Sequence, residues 1–187
     1  IEAYCSLGAN ELTDSLALEA LELANEHLER FANDPTDRAA GRAMAHACLK
    51  AAMAFSNAGL GLAHALAHQV GGTLDLPHGS VIFRLLPHIL HRYEEAVPAR
   101  TAEISRALSA PSTDKSAANG AAGRLQELWD ALPHAAAGEK LAWDPSLAQT
   151  WAERAQRDVC FLTSPWKPDT ESLTAFLQEY LYGHAEQ

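Results

Sequence analysis

Apolar residues recur at helical spacing along most of the chain. Leu16, Ala20, Leu21, Leu23, Ala24, Leu28 and Phe31 fall on one stripe, with Glu19, Glu22, Glu26, Glu29 and Arg30 opposite. This is the period of a helix with one buried face. Thr13 or Asp14 is placed to cap it. Residues 1–6 read as a helical stub, followed by a turn over 7–12. Asn33-Asp34-Pro35 predicts a stop and a restart, with Asp34 as N-cap and Pro35 at the first helical position. The third helix, 35–57, carries Ala39, Ala40, Gly41, Ala43, Ala47, Ala51 and Ala54, and its small residues predict an interior position.

A segment with Gly59 and Gly61 leads into a helix to Val70, which Gly71-Gly72 is expected to end. After a loop over 73–76, Pro77-His78-Gly79 opens a helix to Val97, with Pro87 expected to kink or restart it. Further helices are predicted over 99–109, 117–132, 145–157 and 170–182, the last capped by Asp169 or Thr170. Loops are predicted over 110–116 and 160–167, and 134–143 reads as irregular.

Composition sharpens this to an all-α chain. Of 187 residues, 37 are Ala and 26 Leu, against 8 Val and Ile together. Ala and Leu favour helices, and strands draw on β-branched residues. No linker or repeat splits the chain, so residues 1–187 read as a single multi-helix domain. The net charge of -10, without a basic stripe, argues against nucleic acid and anionic membrane surfaces as partners. No stretch is long and apolar enough to span a bilayer. Cys5, Cys48 and Cys160 form neither a disulfide framework nor a C-x-x-C motif, which predicts a cytoplasmic setting.

Chemistry concentrates in the histidines. Five of nine lie between residues 64 and 91. His64 and His68 stand at i and i+4, so a helix projects both from one face. His78 follows ten residues later, behind a glycine-broken connection that can fold it back toward the same spot. Imidazole is a common ligand of Zn and Fe. The Glu of the metalloprotease pattern is missing, and Gly59-Leu60-Gly61 is not a dinucleotide fingerprint. Ser80 lacks the strand–turn–helix context of a nucleophile. His88 and His91 read as a surface or core-edge pair. His27, His46, His134 and His184 read as structural or surface residues.

The run from Phe55 to Gly72, with Leu76-Pro77-His78-Gly79 and Leu85-Leu86-Pro87-His88, resembles the signature of the iron-dependent (group III) alcohol dehydrogenases. The opening Ile1-Glu2-Ala3-Tyr4-Cys5-Ser6 is similar to that family too. The resemblance runs to about residue 110, and Ser164-Pro165-Trp166 departs from the family's Asn-Pro-Arg-like ending. It implies the all-helical metal and substrate domain of a two-domain enzyme. The N-terminal dinucleotide-binding domain, which binds most of NAD or NADP, would lie outside this chain.

It further implies His64 and His78 as ligands of Fe2+ or Zn2+. His68 would lie near the nicotinamide and the substrate, as a catalytic proton-relay and cofactor-binding residue. An Asp and a further His would come from a D-x-x-x-H segment just before Ile1. The implied reaction is hydride transfer between a small alcohol or aldehyde and the nicotinamide, with the metal as Lewis acid. The alternative is a non-catalytic, stand-alone helical binding or scaffold module derived from that family.

The missing Met and the uncapped start lead us to expect a fragment or an isolated domain. The face carrying His64, His68 and His78 is expected to wall a cleft. Its Ala- and Leu-lined surface should then favour a homo-oligomer or domain exchange.

Overall fold

The computed structural model describes residues 1–109, 120–132 and 146–182. Every regular element in them is helical: α1 (Glu2–Cys5), α2 (Glu11–Asn33), α3 (Arg38–Ala58), α4 (Leu62–Leu74), α5 (His78–Ala96), α6 (Pro98–Leu108), α7 (Gly120–Ala131), α8 (Leu147–Ala155), a 3-10 turn (Val159–Thr163) and α9 (Thr170–Tyr182). The all-α expectation holds. The predicted loop 110–116, the irregular stretch 134–143, His134 and His184 lie outside the described residues. Among the described residues, no helix is long and apolar enough to cross a membrane.

The centre of the fold is α4. Leu62, Ala63, Ala65, Leu66, Ala67, Val70 and Gly71 are all buried. A helix apolar on nearly all sides must be enclosed on nearly all sides. It is packed against α5, α8 and the 3-10 turn. Leu85, Ile89, Leu90 and Tyr93 of α5 and Trp151 of α8 share this core, with Leu173 and Leu177 of α9 packed behind α8, each at most 1% exposed. His64 and His68 are among the few α4 side chains that reach its open face.

The interior role expected of α3 belongs instead to α4. In α3 only Ala40, Ala47, Ala54 and Ala58 are buried, while Leu49 and Met53 are 59% and 49% exposed. The seven-residue spacing of Ala40, Ala47 and Ala54 makes one narrow seam against α2, and the alanines serve a close two-helix approach. The apolar stripe of α2 is correspondingly shallow: Ala20 is buried, and Leu16, Leu21, Leu23, Ala24, Leu28 and Phe31 are half-buried. Between this helix pair and α5 lies an apolar cavity of about 360 Å³, lined among others by Leu21, Phe55, Ile82, Phe83 and Leu128, with His64 on its wall.

Helix boundaries differ from expectation where a competing cap wins. Asn10, not Thr13 or Asp14, caps α2: its side chain accepts from the Leu12 and Thr13 amides, and the Thr13 side chain bonds back to the Asn10 backbone. Asp37, not Asp34, caps α3, accepting from the Ala39 and Ala40 amides at 2.9 Å. Asp34 instead closes a local turn on Thr36.

Gly71-Gly72 does not end α4. The helix runs on to Leu74, and Asp75 takes the left-handed conformation (φ 53°, ψ 44°) that closes it. Pro87 lies inside an unbroken α5. Part of the predicted loop 160–167 is a 3-10 turn, because the Asp158 side chain accepts from the Cys160 amide at 2.9 Å. The last helix starts as expected, with Asp169 bonded to the Ser172 amide.

Leu66 is fully buried in the central helix and Leu49 is exposed on α3. Leu66→Ala is expected to destabilise the fold by about 2–5 kcal/mol, and Leu49→Ala by no more than about 0.5 kcal/mol. Thermal or urea denaturation of the two variants checks the contrast.

Candidate metal centre

The sequence brings α4 into place with an uncapped start. Its N-cap is Gly61, which has no side chain to satisfy the first amides. The acceptor comes from the other end of the described sequence. Glu2 Oε1 accepts from the Ala63 amide at 2.7 Å, and Oε2 from the His64 amide at 3.2 Å. Tyr93 of α5 completes the arrangement: its hydroxyl accepts from the Leu62 amide and donates to Glu2, both at 3.2 Å. Burial, and then the Glu2 carboxylate beside it, push the Tyr93 phenol well above its ordinary pKa, so it remains a neutral donor. The carboxylate also sits at the positive end of the α4 dipole.

Glu2 continues into the histidine cluster. Its Oε2 lies 2.5 Å from His64 Nδ1, with the Glu2 side chain 2% exposed. A carboxylate there accepts a hydrogen bond from Nδ1–H, which leaves Nε2 with its lone pair. This is the carboxylate–histidine pairing that orients metal-binding imidazoles.

His68, one turn on, has the same device from a different source. Its Nδ1 lies 2.8 Å from Asp158 Oδ2, at the foot of the 3-10 turn. His78 enters from the first position of α5. Its ring stands 5.6 Å from His64 at 65° and 5.3 Å from His68 at 9°, centroid to centroid. The three residues singled out by spacing are therefore brought together. Desolvation, and then His64 and His68, push the His78 pKa below its ordinary value. At neutral pH it is an uncharged imidazole, the form that binds metal.

Imidazole ligands suit Zn2+ or Fe2+ better than Mg2+ or Ca2+, which prefer all-oxygen shells. His64, His68 and His78 are the clustered residues whose imidazole nitrogens could be offered to such an ion.

The remaining described histidines fall outside the cluster. His88 packs its ring against Tyr180 at 4.3 Å, and His91 pairs with Glu94 on the surface at 3.1 Å. His27 lies on α2 and His46 on α3.

Two participants were not assigned by sequence reasoning. Glu2 was visible only as part of the Ile1-Glu2-Ala3-Tyr4 run, and the signal that could have found it is the capless start at Gly61. Asp158 carried none, because its partner lies 90 residues away in sequence.

The residue at position 61 is constrained by this geometry. A Cβ there would come within 2.5 Å of Tyr93 Oη and 2.6 Å of Glu2 Oε1.

Comparison with known proteins gives a consistent family. A model of the Fe-containing alcohol dehydrogenase family, C-terminal part, matches residues 1–181. The probable alcohol dehydrogenase EutG of Salmonella typhimurium is 37% identical over 166 residues, covering 88% of this chain and 41% of that protein. Alcohol dehydrogenase 4 of Saccharomyces cerevisiae is 35% identical over 181 residues, covering 96% of this chain and 47% of that protein. Among solved structures, a 1,3-propanediol oxidoreductase superposes with a TM-score of 0.85 at 31% identity, covering 96% of this chain and 48% of that one. The chain thus spans less than half the length of each of these relatives.

Gly61→Ala should cost about 1–3 kcal/mol, because Glu2 and Tyr93 are both buried and must shift against their partners. Gly72→Ala, where an added Cβ meets nothing within 4 Å, should be neutral or stabilising. Chemical denaturation of the two variants makes the comparison.

Proposed function

The chain belongs to the Fe-containing alcohol dehydrogenase family, and from that premise we propose that it is the metal- and substrate-facing helical domain of an enzyme interconverting a small alcohol with its aldehyde or ketone. The observation that carries this reading is the meeting of His64, His68 and His78, with the Nδ1 of His64 already held by a buried carboxylate. The partner it implies is the N-terminal nucleotide-binding domain of the parent. A homo-oligomer of the parent remains part of the proposal.

His64 and His78 would hold the metal through neutral imidazole nitrogens. When bound, Fe2+ or Zn2+ would supply Lewis-acid polarisation of the substrate oxygen, and NAD or NADP would take up or deliver the hydride. Glu2 keeps His64 in one tautomer and one orientation, so no reorganisation is needed when the ligand nitrogen is used. Asp158 occupies Nδ1 of His68, which leaves Nε2 as the atom that orients the substrate or exchanges a proton with it. The enclosed α4 gives these side chains a rigid base, as a positioned acid–base group requires.

The test is metal analysis and NAD-linked turnover of the full-length protein. His78→Ala is expected to lower metal affinity by more than about 100-fold, beyond the range typical of outer-shell partners, and to abolish turnover. Leu23→Ala, half-buried on α2, should keep both while lowering the melting temperature. Unchanged metal binding in His78→Ala would overturn the ligand assignment. A wild-type protein without metal-dependent turnover would favour the scaffold alternative.

A further inference from the structure

A second group of metal-ligand side chains adjoins the first without sharing its proposed ligands. His68 Nδ1, an Asp158 carboxylate oxygen and Cys160 Sγ all lie within 4.8 Å of one another. They come from α4 and from the 3-10 turn with its cap, segments 90 residues apart. Asp158 organises the group. Its Oδ1 accepts from the Cys160 amide at 2.9 Å, which fixes the carboxylate, and Oδ2 accepts from His68 Nδ1 at 2.8 Å. The Cys160 sulfur lies within 4.8 Å of this carboxylate and of the imidazole nitrogen.

An imidazole nitrogen, a thiol sulfur and a carboxylate thus converge on one spot. A cation can replace the imidazole proton that the carboxylate now accepts. The donor set is one nitrogen, one sulfur and one carboxylate oxygen, and three protein ligands leave a fourth position open. Thiolate disfavours Mg2+ and Ca2+ and selects a borderline or soft ion.

We propose that His68, Asp158 and Cys160 form a binding site for a borderline-to-soft divalent cation, of the class of Zn2+ or Cd2+, that ties α4 to the 3-10 turn. On binding, Cys160 gives up its thiol proton to solvent and ligates as thiolate. The imidazole proton of His68 moves from Nδ1 to Nε2, and Asp158 ligates as the carboxylate it already is. One proton leaves per ion bound. Burial, with Asp158 beside it, pushes the free Cys160 thiol up to about 12. The metal must therefore displace that proton, so affinity rises with pH. Site occupancy does not depend on metal at His64 and His78.

Cadmium titration of the full-length protein tests this in a His78→Ala background, which disables the other centre. The readout is the ultraviolet thiolate-to-cadmium charge-transfer band. The band is expected in this background and in its Cys5→Ser and Cys48→Ser derivatives, and to vanish in Cys160→Ser. Asp158→Asn and His68→Gln should weaken cadmium by at least about tenfold; they also decide the matter if Cys160→Ser does not fold. Zn2+ should compete for the site and Mg2+ should not. Saturating Cd2+ should raise the melting temperature, since binding to the folded state alone stabilises it. A band that survives in Cys160→Ser, that is lost only in Cys48→Ser, or that never appears would overturn the proposal. Unaltered cadmium affinity in both Asp158→Asn and His68→Gln would do the same.

Discussion

A buried carboxylate at the start of α4 holds this structure in register. An α-helix begins with amides that its own turns cannot satisfy, and Gly61 supplies no side chain for them. A polar group left unpaired in an interior costs about 1–3 kcal/mol, and the first residues of α4, Leu62 and Ala63, are fully buried. Glu2 settles the matter by accepting from two amides, an imidazole and a phenol at once. A charge this deeply buried is tolerable only with such a set of partners. Glu2, Gly61, His64 and Tyr93 are therefore one interdependent unit, reaching across α1, α4 and α5.

The enclosure of α4 follows from the same constraint and sets the character of the histidine cluster. Alanine alternates with leucine on its buried sides, so neighbouring helices come close and α4 cannot shift without moving α5 and α8. His64 and His68 project from its open side on this fixed base. Gly71 extends the effect. It is buried, and an added Cβ there would stand 3.4 Å from the Leu76 carbonyl. The Leu76 amide bonds the Gly71 carbonyl at 3.2 Å as the chain turns back, and His78, at the first position of α5, meets the rings of His64 and His68. Of the glycine pair only Gly71 is buried, Gly72 meets nothing, and the reversal itself falls to Asp75.

Much of this was legible in the chain. The amphipathic periods located the helices, because 3.6-residue spacing is a direct consequence of one buried face. The i, i+4 histidines and the short return to His78 located the cluster, because both are local in sequence. What could not be read was settled by contacts between distant residues. The burial of α4 over α3 depends on which alanine-rich helix is surrounded, and composition alone does not distinguish an alanine that packs in the core from one that narrows a two-helix seam. The caps at Asn10 and Asp37 were misplaced by three or four residues because several short polar residues stood in competition at each start. Glu2 and Asp158 escaped notice because each finds its histidine across 62 and 90 residues of sequence.

The two carboxylates explain why neighbouring histidines on one helix face need not be equivalent. His64 and His68 both offer Nδ1 to an acid, at 2.5 and 2.8 Å. The Glu2 side chain is 2% exposed and held by two further amides and a phenol, whereas the Asp158 side chain is 13% exposed and His68 itself is 41% exposed. An electrostatic contact strengthens as water is withdrawn from it. His64 is thus fixed in one tautomer by a partner that cannot move, which suits an imidazole whose nitrogen must stay a permanent lone-pair donor. His68 is steered by a partner nearer to water and bonded to a turn, so its proton can be exchanged or replaced. Under the proposed function, a rigid imidazole beside an adjustable one would let one side chain hold a cation while its neighbour handles a proton.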